Sequence, residues 1–346
     1  ENLNKIWRNY CISDAYEPGS TFKPMTVAAC LDEGVTTGSR AYHCDGYQVI
    51  NGVRIKCVAY SRGGHGTINI CQSLMESCND VLMQLGADLG KRKFLQYVNE
   101  FGFGKKTGID LPGEATGGVF TNDTMHAVEL ATSSFGQGQT VTMIQMAAAF
   151  SSVINGGNYY EPHVVKEVKS ENGAVLESND NALVRRVITE NTSKKLRKYL
   201  YKTVEEGTAL PAKVAGYQIG GKTGTAEKHP TGRGNYLVSF IGFATKDNPE
   251  VMIYVTIDEP HVADQAHSTY ATQFSSEVLK EVLPVLGMYQ DSSTKKADKT
   301  KASDIKLPST KEAPDGGYSD GTYSVAGDQT DGTDTANTAS PVPSAE

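Results

Sequence analysis

A hydroxyl and an amine stand three residues apart in Ser20-Thr21-Phe22-Lys23. At a helix start that spacing puts both side chains on one face. A serine hydroxyl is a weak nucleophile until a neighbour takes its proton, which a partly desolvated lysine can do. The helix N-terminus adds a positive dipole end beside the charge that develops on attack. Two more clusters carry compatible groups. In Ser77-Cys78-Asn79 the Ser and Asn do not share a helix face, so their joint use requires a turn between helices. There Ser77 would pass a proton and Asn79 would hold an amide of the substrate. In Lys222-Thr223-Gly224-Thr225 an ammonium and two hydroxyls can receive one carboxylate.

Each pattern also occurs elsewhere. Ser-x-x-Lys recurs at Ser292/Lys295, Ser293/Lys296 and Ser303/Lys306, all in a tail without apolar pattern. Ser170-Glu171-Asn172 precedes a turn glycine, and its polar groups suit the turn itself. Lys106-Thr107-Gly108 lies in FGFGKKTGIDLPGE, a loop-like stretch without strand context. Context therefore selects Ser20, Ser77 and Lys222 as the anchors of one site.

The elements that must position them alternate between helix and strand. Apolar spacing at Phe22, Met25, Ala28 and Ala29 predicts a helix from about Ser20 to Leu31, with Pro24 tolerated in its first turn and Gly34 past its end. Residues 46–58 read as a hairpin turning at Asn51-Gly52, and 163–177 as another turning at Asn172-Gly173. Helical patterns cover 67–86, 91–100, 142–154 and about 269–286; strands are expected at 216–225, 236–244 and 251–257. Strands before and after a helical middle predict an α/β (α+β) chain with a largely antiparallel sheet. Three glycines in residues 219–224 weaken a strand and call for the close approach of another backbone, such as a peptide substrate added along its edge.

Composition narrows the function classes. The 346 residues carry a net charge of −7, which disfavours a partner held by phosphate neutralisation, so no nucleic acid is expected. Residues 289–346 hold ten acids against six lysines, a net of −4, which leaves −3 for residues 1–288. That tail is Asp, Thr, Ser, Lys, Gly, Pro and Ala without periodicity, and is read as disordered. One domain is assigned to 1–288. No apolar run approaches the ~18 residues of a membrane span. The chain begins at Glu1, as expected of a processed chain or an excised piece. The seven His show no metal-ligand spacing, so no metal site is expected.

Ser-x-x-Lys, Ser-x-Asn and Lys-Thr-Gly in that order form the three-part signature of penicillin-binding proteins and serine β-lactamases. YEPGSTFK (16–23), GHGTINI (64–70), ESCNDV (76–81), SSFGQGQTVT (133–142) and GGKTGTAEK (220–228) closely resemble class B, monofunctional penicillin-binding proteins, and most nearly their division-septum and sporulation members. The resemblance runs from about residue 7 to 286. It implies the transpeptidase, serine β-lactamase-like fold, an antiparallel sheet of about five strands with helices on both sides. It makes Ser20 the acylated nucleophile and Lys23 its proton acceptor, with Ser77 and Asn79 on the cleft wall. Lys222, Thr223, Gly224 and Thr225 become the substrate-binding strand, and the backbone N–H groups of Ser20 and Thr225 the oxyanion hole. The implied reaction is D,D-transpeptidation, cross-linking peptidoglycan stem peptides and blocked by β-lactams, without metal or organic cofactor. A D,D-carboxypeptidase and a β-lactam sensor domain share these motifs. A β-lactamase would need a base for deacylating water, and no Glu-x-x-Leu-Asn string is present. The implied location is the extracytoplasmic face of the bacterial membrane, with an N-terminal anchor missing from this chain and cell-wall synthesis proteins as partners. Whether the role is division, elongation or spore cortex is not written in these residues.

Six cysteines complete the inventory: Cys11, Cys30, Cys44, Cys57, Cys71 and Cys78. A two-residue turn at Asn51-Gly52 makes Cys44 and Cys57 diagonal neighbours at the limit of disulfide reach; a four-residue loop at 49–52 sets them opposite each other. The implied extracytoplasmic location favours a bridge. The competing reading is two buried free thiols, which pack well as small hydrophobes.

Overall fold

The computed structural model describes residues 7–179 and 183–290. The tail beyond residue 290, with its Ser-x-x-Lys repeats, lies outside the described residues. Helix α1, Lys23–Asp32, carries proline in its first turn as expected, but its entry is tighter than an α-helix. Residues Gly19–Phe22 form a fully buried 3₁₀ turn. In 3₁₀ geometry positions i and i+3 eclipse, which brings Lys23 directly into line with Ser20. Gly19 starts the turn at φ +54°, in the left-handed region that favours glycine.

The segment expected as one helix over 67–86 is broken into three pieces. Gly66–Asn69 is a strand paired with Ala41–Cys44, Ile70–Met75 is a short helix, and α2 runs Asn79–Leu89. The break has a local cause: Ser77 is left-handed at φ +53°, and Cys78 caps α2 by accepting from the Val81 N–H. Apolar spacing is continuous across this break, so periodicity alone overlooks it. The helices over 91–100 and 142–154 fall at Lys91–Glu100 and at α3, Met143–Ile154. Helix α4, Glu190–Glu206, was not foreseen. Its buried face is half hydroxyl, with Thr192, Ser193 and Thr203 beside Leu196, Leu200 and Val204. The last helix, α5, spans Thr269–Val285.

The hairpin strands Tyr47–Ile50 and Val53–Lys56 pair Ile50 with Val53, the register of a two-residue turn. The four-residue alternative is thereby corrected, and both Cys44 and Cys57 are free thiols rather than a bridge. The second hairpin pairs Glu167–Lys169 with Val175–Ser178.

The main ladder is antiparallel in the order β1, Ile219–Glu227; β2, Tyr236–Ala244; β3, Val251–Asp258. Among the described residues it holds these three strands, where about five were expected. Side chains on β2 alternate between two cores. Phe240 and Ala244 join Leu279 and Leu283 of α5, while Ile241 and Phe243 join the helical body. There the Phe243 ring meets that of Phe150 on α3 at 6.2 Å.

This packing corrects the reading of the β1 glycines. A Cβ on Gly220 would fall 2.4 Å from the Phe243 ring, and one on Gly221 would fall 2.4 Å from the Phe240 ring and 2.6 Å from the Ile241 carbonyl oxygen. The space is taken by aromatic rings of the neighbouring strand rather than left for an incoming peptide. Both rings are fully buried and have nowhere to retreat. Gly221→Ala is therefore expected to destabilise the fold by ~1–3 kcal/mol through overpacking, read as a lower urea midpoint at unchanged m-value. An unchanged midpoint would show that the rings repack freely.

Candidate active site

Three separate chain segments bring their polar groups to one buried point. The 3₁₀ turn and the first residue of α1 supply Ser20 and Lys23, the break before α2 and its first residue supply Ser77 and Asn79, and β1 supplies Lys222, Thr223 and Thr225; all seven are buried. The Lys23 ammonium donates to the Ser77 carbonyl oxygen at 2.6 Å, to Ser77 Oγ at 2.9 Å and to Asn79 Oδ1 at 2.7 Å. Lys222 Nζ donates to the same Ser77 Oγ at 3.0 Å and to Thr223 Oγ1 at 3.2 Å. The Ser77 hydroxyl in turn donates to Ser20 Oγ at 3.0 Å. Ser77 thus receives from two lysines and passes its own proton toward Ser20. Its left-handed backbone is what turns both its carbonyl and its hydroxyl toward Lys23.

Two ammonium groups converging on one hydroxyl each raise the cost of charging the other in a dry interior. The arrangement therefore favours an anion arriving beside Lys222. Thr223 and Thr225 line a cleft of ≈ 310 Å³ together with Ser77, Glu206, Thr208 and His267. Gly224 does not reach into it. A Cβ there would lie 2.4 Å from Ser239 Oγ and 2.9 Å from Thr21 Cγ2, so this glycine lets the Ser20 turn dock on the strand.

The turn has a second support in the SSFGQG segment. Gly19 N–H donates to the Gly136 carbonyl at 3.0 Å, and Thr26 Oγ1 donates to the Ser134 carbonyl at 2.8 Å. A Cβ on Gly136 would sit 2.0 Å from the Gly19 oxygen, so no side chain fits there. Behind the turn Thr21 lies 3.5 Å from the Tyr254 hydroxyl, and Tyr254 also bonds Tyr16. Burial pushes the Tyr16 phenol well above its usual range and raises that of Tyr254, so both remain neutral.

Thr208 is the site residue that motif reading missed. Its hydroxyl lies 3.3 Å from Thr223 Oγ1, and the adjacent Gly207 leaves no room for a Cβ against the Met75 backbone. Glu206-Gly207-Thr208 carries no recognisable motif; its only signal is a glycine at the end of α4. The look-alike motifs behave differently. Lys106 is exposed, and Thr107 is tied down by Glu114, which accepts from its N–H at 2.6 Å. The Ser170 hydroxyl bonds Asn172 and Ala174 within its own hairpin turn.

No metal site was expected from the histidine spacing; one histidine, His65, lies in a cluster of possible ligands. Cys44, Cys57, His65 and Cys78 bring their ligand atoms within 4.8 Å of one another, although no two are spaced as a metal motif. Sequence spacing cannot register ligands gathered from a strand end, a hairpin end, a loop and a helix cap.

Residues 1–282 match the model of the penicillin binding protein transpeptidase domain. Stage V sporulation protein D of Bacillus subtilis is 42% identical over 286 residues, which cover 81% of this chain and 44% of that protein. A probable peptidoglycan D,D-transpeptidase PenA of Neisseria flavescens is 29% identical over 87% of this chain and 71% of its own length. The crystal structure of penicillin-binding protein 3 from Mycobacterium tuberculosis complexed with ampicillin superposes with a TM-score of 0.75 at 26% identity, covering 82% of this chain and 65% of that one. The chain spans less than half the length of the sporulation protein it matches. Among the described residues no helix is long and apolar enough to cross a membrane.

The two Lys-Thr-Gly sites separate experimentally. Lys222→Ala is expected to slow acylation of Ser20 by ~10²-fold or more, because it removes a buried charge from the cleft. Lys106→Ala is expected to change the rate little, as exposed charges are worth under ~1 kcal/mol. Time-resolved mass spectrometry with an acylating substrate analogue measures both, and the opposite ranking would move the cleft elsewhere.

Proposed function

The chain belongs to the penicillin-binding protein transpeptidase domain family, and from that premise we propose that it is a serine D,D-transpeptidase of peptidoglycan, acylated on Ser20. The observation that carries the reading is the Ser77 hydroxyl, 3.0 Å from Ser20 Oγ and within hydrogen-bond reach of both buried lysines. With Lys23 as the neutral amine, Ser20 Oγ attacks the carbonyl carbon of the penultimate D-Ala while its proton passes to Lys23 Nζ, directly or across Ser77. Negative charge develops on the carbonyl oxygen and is met by the backbone N–H groups of Ser20 and Thr225. Collapse breaks the D-Ala-D-Ala bond, and the proton held by Lys23 goes to the departing amine. An amine of a neighbouring stem peptide then attacks the acyl-enzyme and restores the Ser20 hydroxyl. The terminal carboxylate of the donor peptide takes its place beside Lys222, Thr223 and Thr225.

The substrate places the site on the outer face of the bacterial membrane, among other proteins of cell-wall synthesis. The 42% identity to a sporulation protein favours a role in spore formation over vegetative division.

A β-lactam, as an analogue of the scissile dipeptide, is expected to leave a long-lived adduct on Ser20. Intact-mass and peptide-mapping spectra should show one adduct, abolished in Ser20→Ala and retained when Ser292, Ser293 and Ser303 are replaced together. Label on another serine, or label lost within seconds, would overturn the reading. A D-Ala-D-Ala peptide assay with and without added amine then separates the chemistries: amine-dependent transfer supports a transpeptidase, and hydrolysis alone replaces it with a carboxypeptidase.

A further inference from the structure

A second buried constellation lies behind the Ser77 turn. Cys44 ends the strand Ala41–Cys44, Cys57 follows the hairpin strand Val53–Lys56, His65 sits in the loop before Gly66, and Cys78 caps α2. The three thiols are buried, His65 partly so. Cys44 Sγ and Cys57 Sγ lie 3.4 and 3.6 Å from His65 Nδ1, and Cys57 Sγ lies 3.7 Å from Cys78 Sγ.

These separations have a specific meaning. Zinc bonds sulfur at about 2.3 Å and imidazole nitrogen at about 2.0–2.1 Å in a tetrahedron. The edges of that tetrahedron are then about 3.8 Å between sulfurs and about 3.6 Å from sulfur to nitrogen. The observed distances are such edges. A disulfide would need two sulfurs at about 2.05 Å; Cys57 and Cys78 stand well apart, and all three cysteines are free.

We propose that Cys44, Cys57, His65 and Cys78 hold one zinc ion as a closed structural centre. Three sulfurs and an imidazole are a soft, four-ligand set that suits zinc and leaves no open position for chemistry. As the metal binds, the three thiols release their protons to solvent. The surrounding backbone is built for this approach. Gly64, at φ +98°, leaves no room for a Cβ, which would fall 2.1 Å from the Cys44 carbonyl oxygen. The Cys57 N–H donates to the Gly46 carbonyl at 2.8 Å, fixing the hairpin end against the strand end. The Val81 N–H points at Cys78 Sγ from the first turn of α2. Beside Cys44 lies Asp80, fully buried, with Oδ1 held by Gln48 and Gln84.

The ligand Cys78 stands between Ser77 and Asn79. The metal would therefore tie the segment that holds Lys23 to three other points of the chain. The zinc assignment itself does not depend on the transpeptidase reading.

The test uses the whole chain, without a metal-binding tag, prepared under reducing conditions and analysed for bound metals by mass spectrometry. The expected result is close to one zinc per chain, kept in Cys11→Ser and Cys71→Ser and lost in Cys57→Ser and His65→Ala. Because the last two variants can fail to fold, the unmodified chain is also stripped and reloaded with cobalt. A thiolate-to-cobalt charge-transfer band is expected, together with a fall in Tm of ~5 °C or more on stripping. Folded, acylatable chain without stoichiometric metal, cobalt without that band, or a disulfide between any two of the three thiols would overturn the assignment. Each readout is independent of acylation, so failure here leaves the catalytic reading standing, and the converse.

Discussion

The burial of the Lys23 ammonium sets the terms for the rest of the site. A charged amine taken fully out of water needs hydrogen-bond acceptors in close reach, or it must give up its proton. Here three acceptors, all from residues 77–79, gather around it. Ser77 offers its carbonyl and hydroxyl and Asn79 its amide oxygen to one atom, although side chains two apart do not share a face of a continuous helix. The chain solves this by breaking the helix at Ser77 in a left-handed conformation and restarting it at Asn79. The nucleophile's 3₁₀ turn, the helix break and the Lys222 strand are therefore one construction. Removing the lysine leaves the turn without its reason, and straightening the turn leaves the lysine without its acceptors.

The legible parts of this chain are those in which local chemistry and tertiary structure agree. Proline in the first turn and glycine past the end marked α1, and the Asn51-Gly52 pair marked the hairpin turn but left two registers open. The apolar runs of β2 and β3 gave two strands of the ladder within a residue or two. The three motifs were found because their residue types have few other reasons to occur in that order. The helix break at Ser77 was half visible. Periodicity ran straight through it, while the mismatch of a Ser and an Asn two apart demanded it, and the chemical argument proved the better guide. Helix α4 was hidden because its inner face buries threonine and serine hydroxyls, which a hydrophobic pattern does not register.

The β1 glycines show where correct detection meets a wrong cause. Their number did signal close approach, but the approaching groups are the Phe240 and Phe243 rings and, at Gly224, the Ser20 turn. A sequence states that space is needed without stating for what. The same holds for Cys44, Cys57, His65 and Cys78. Each alone reads as a small buried hydrophobe or a loop histidine, and only the fold reveals that they share a centre.

Strand β2 forms the common wall of two cores, with Phe240 and Ala244 against α5 and Ile241 and Phe243 against the helical body. Neither core can open without stripping one face of the same nine residues. The two halves of the domain are consequently locked into a single cooperative unit, with no independently melting lobe on either side of the sheet. Backbone amides of β2 belong to the class that exchanges with solvent only through global unfolding. The exposed hairpin Glu167–Ser178 stands outside that unit, and its amides are free to exchange through local opening at little cost to the whole.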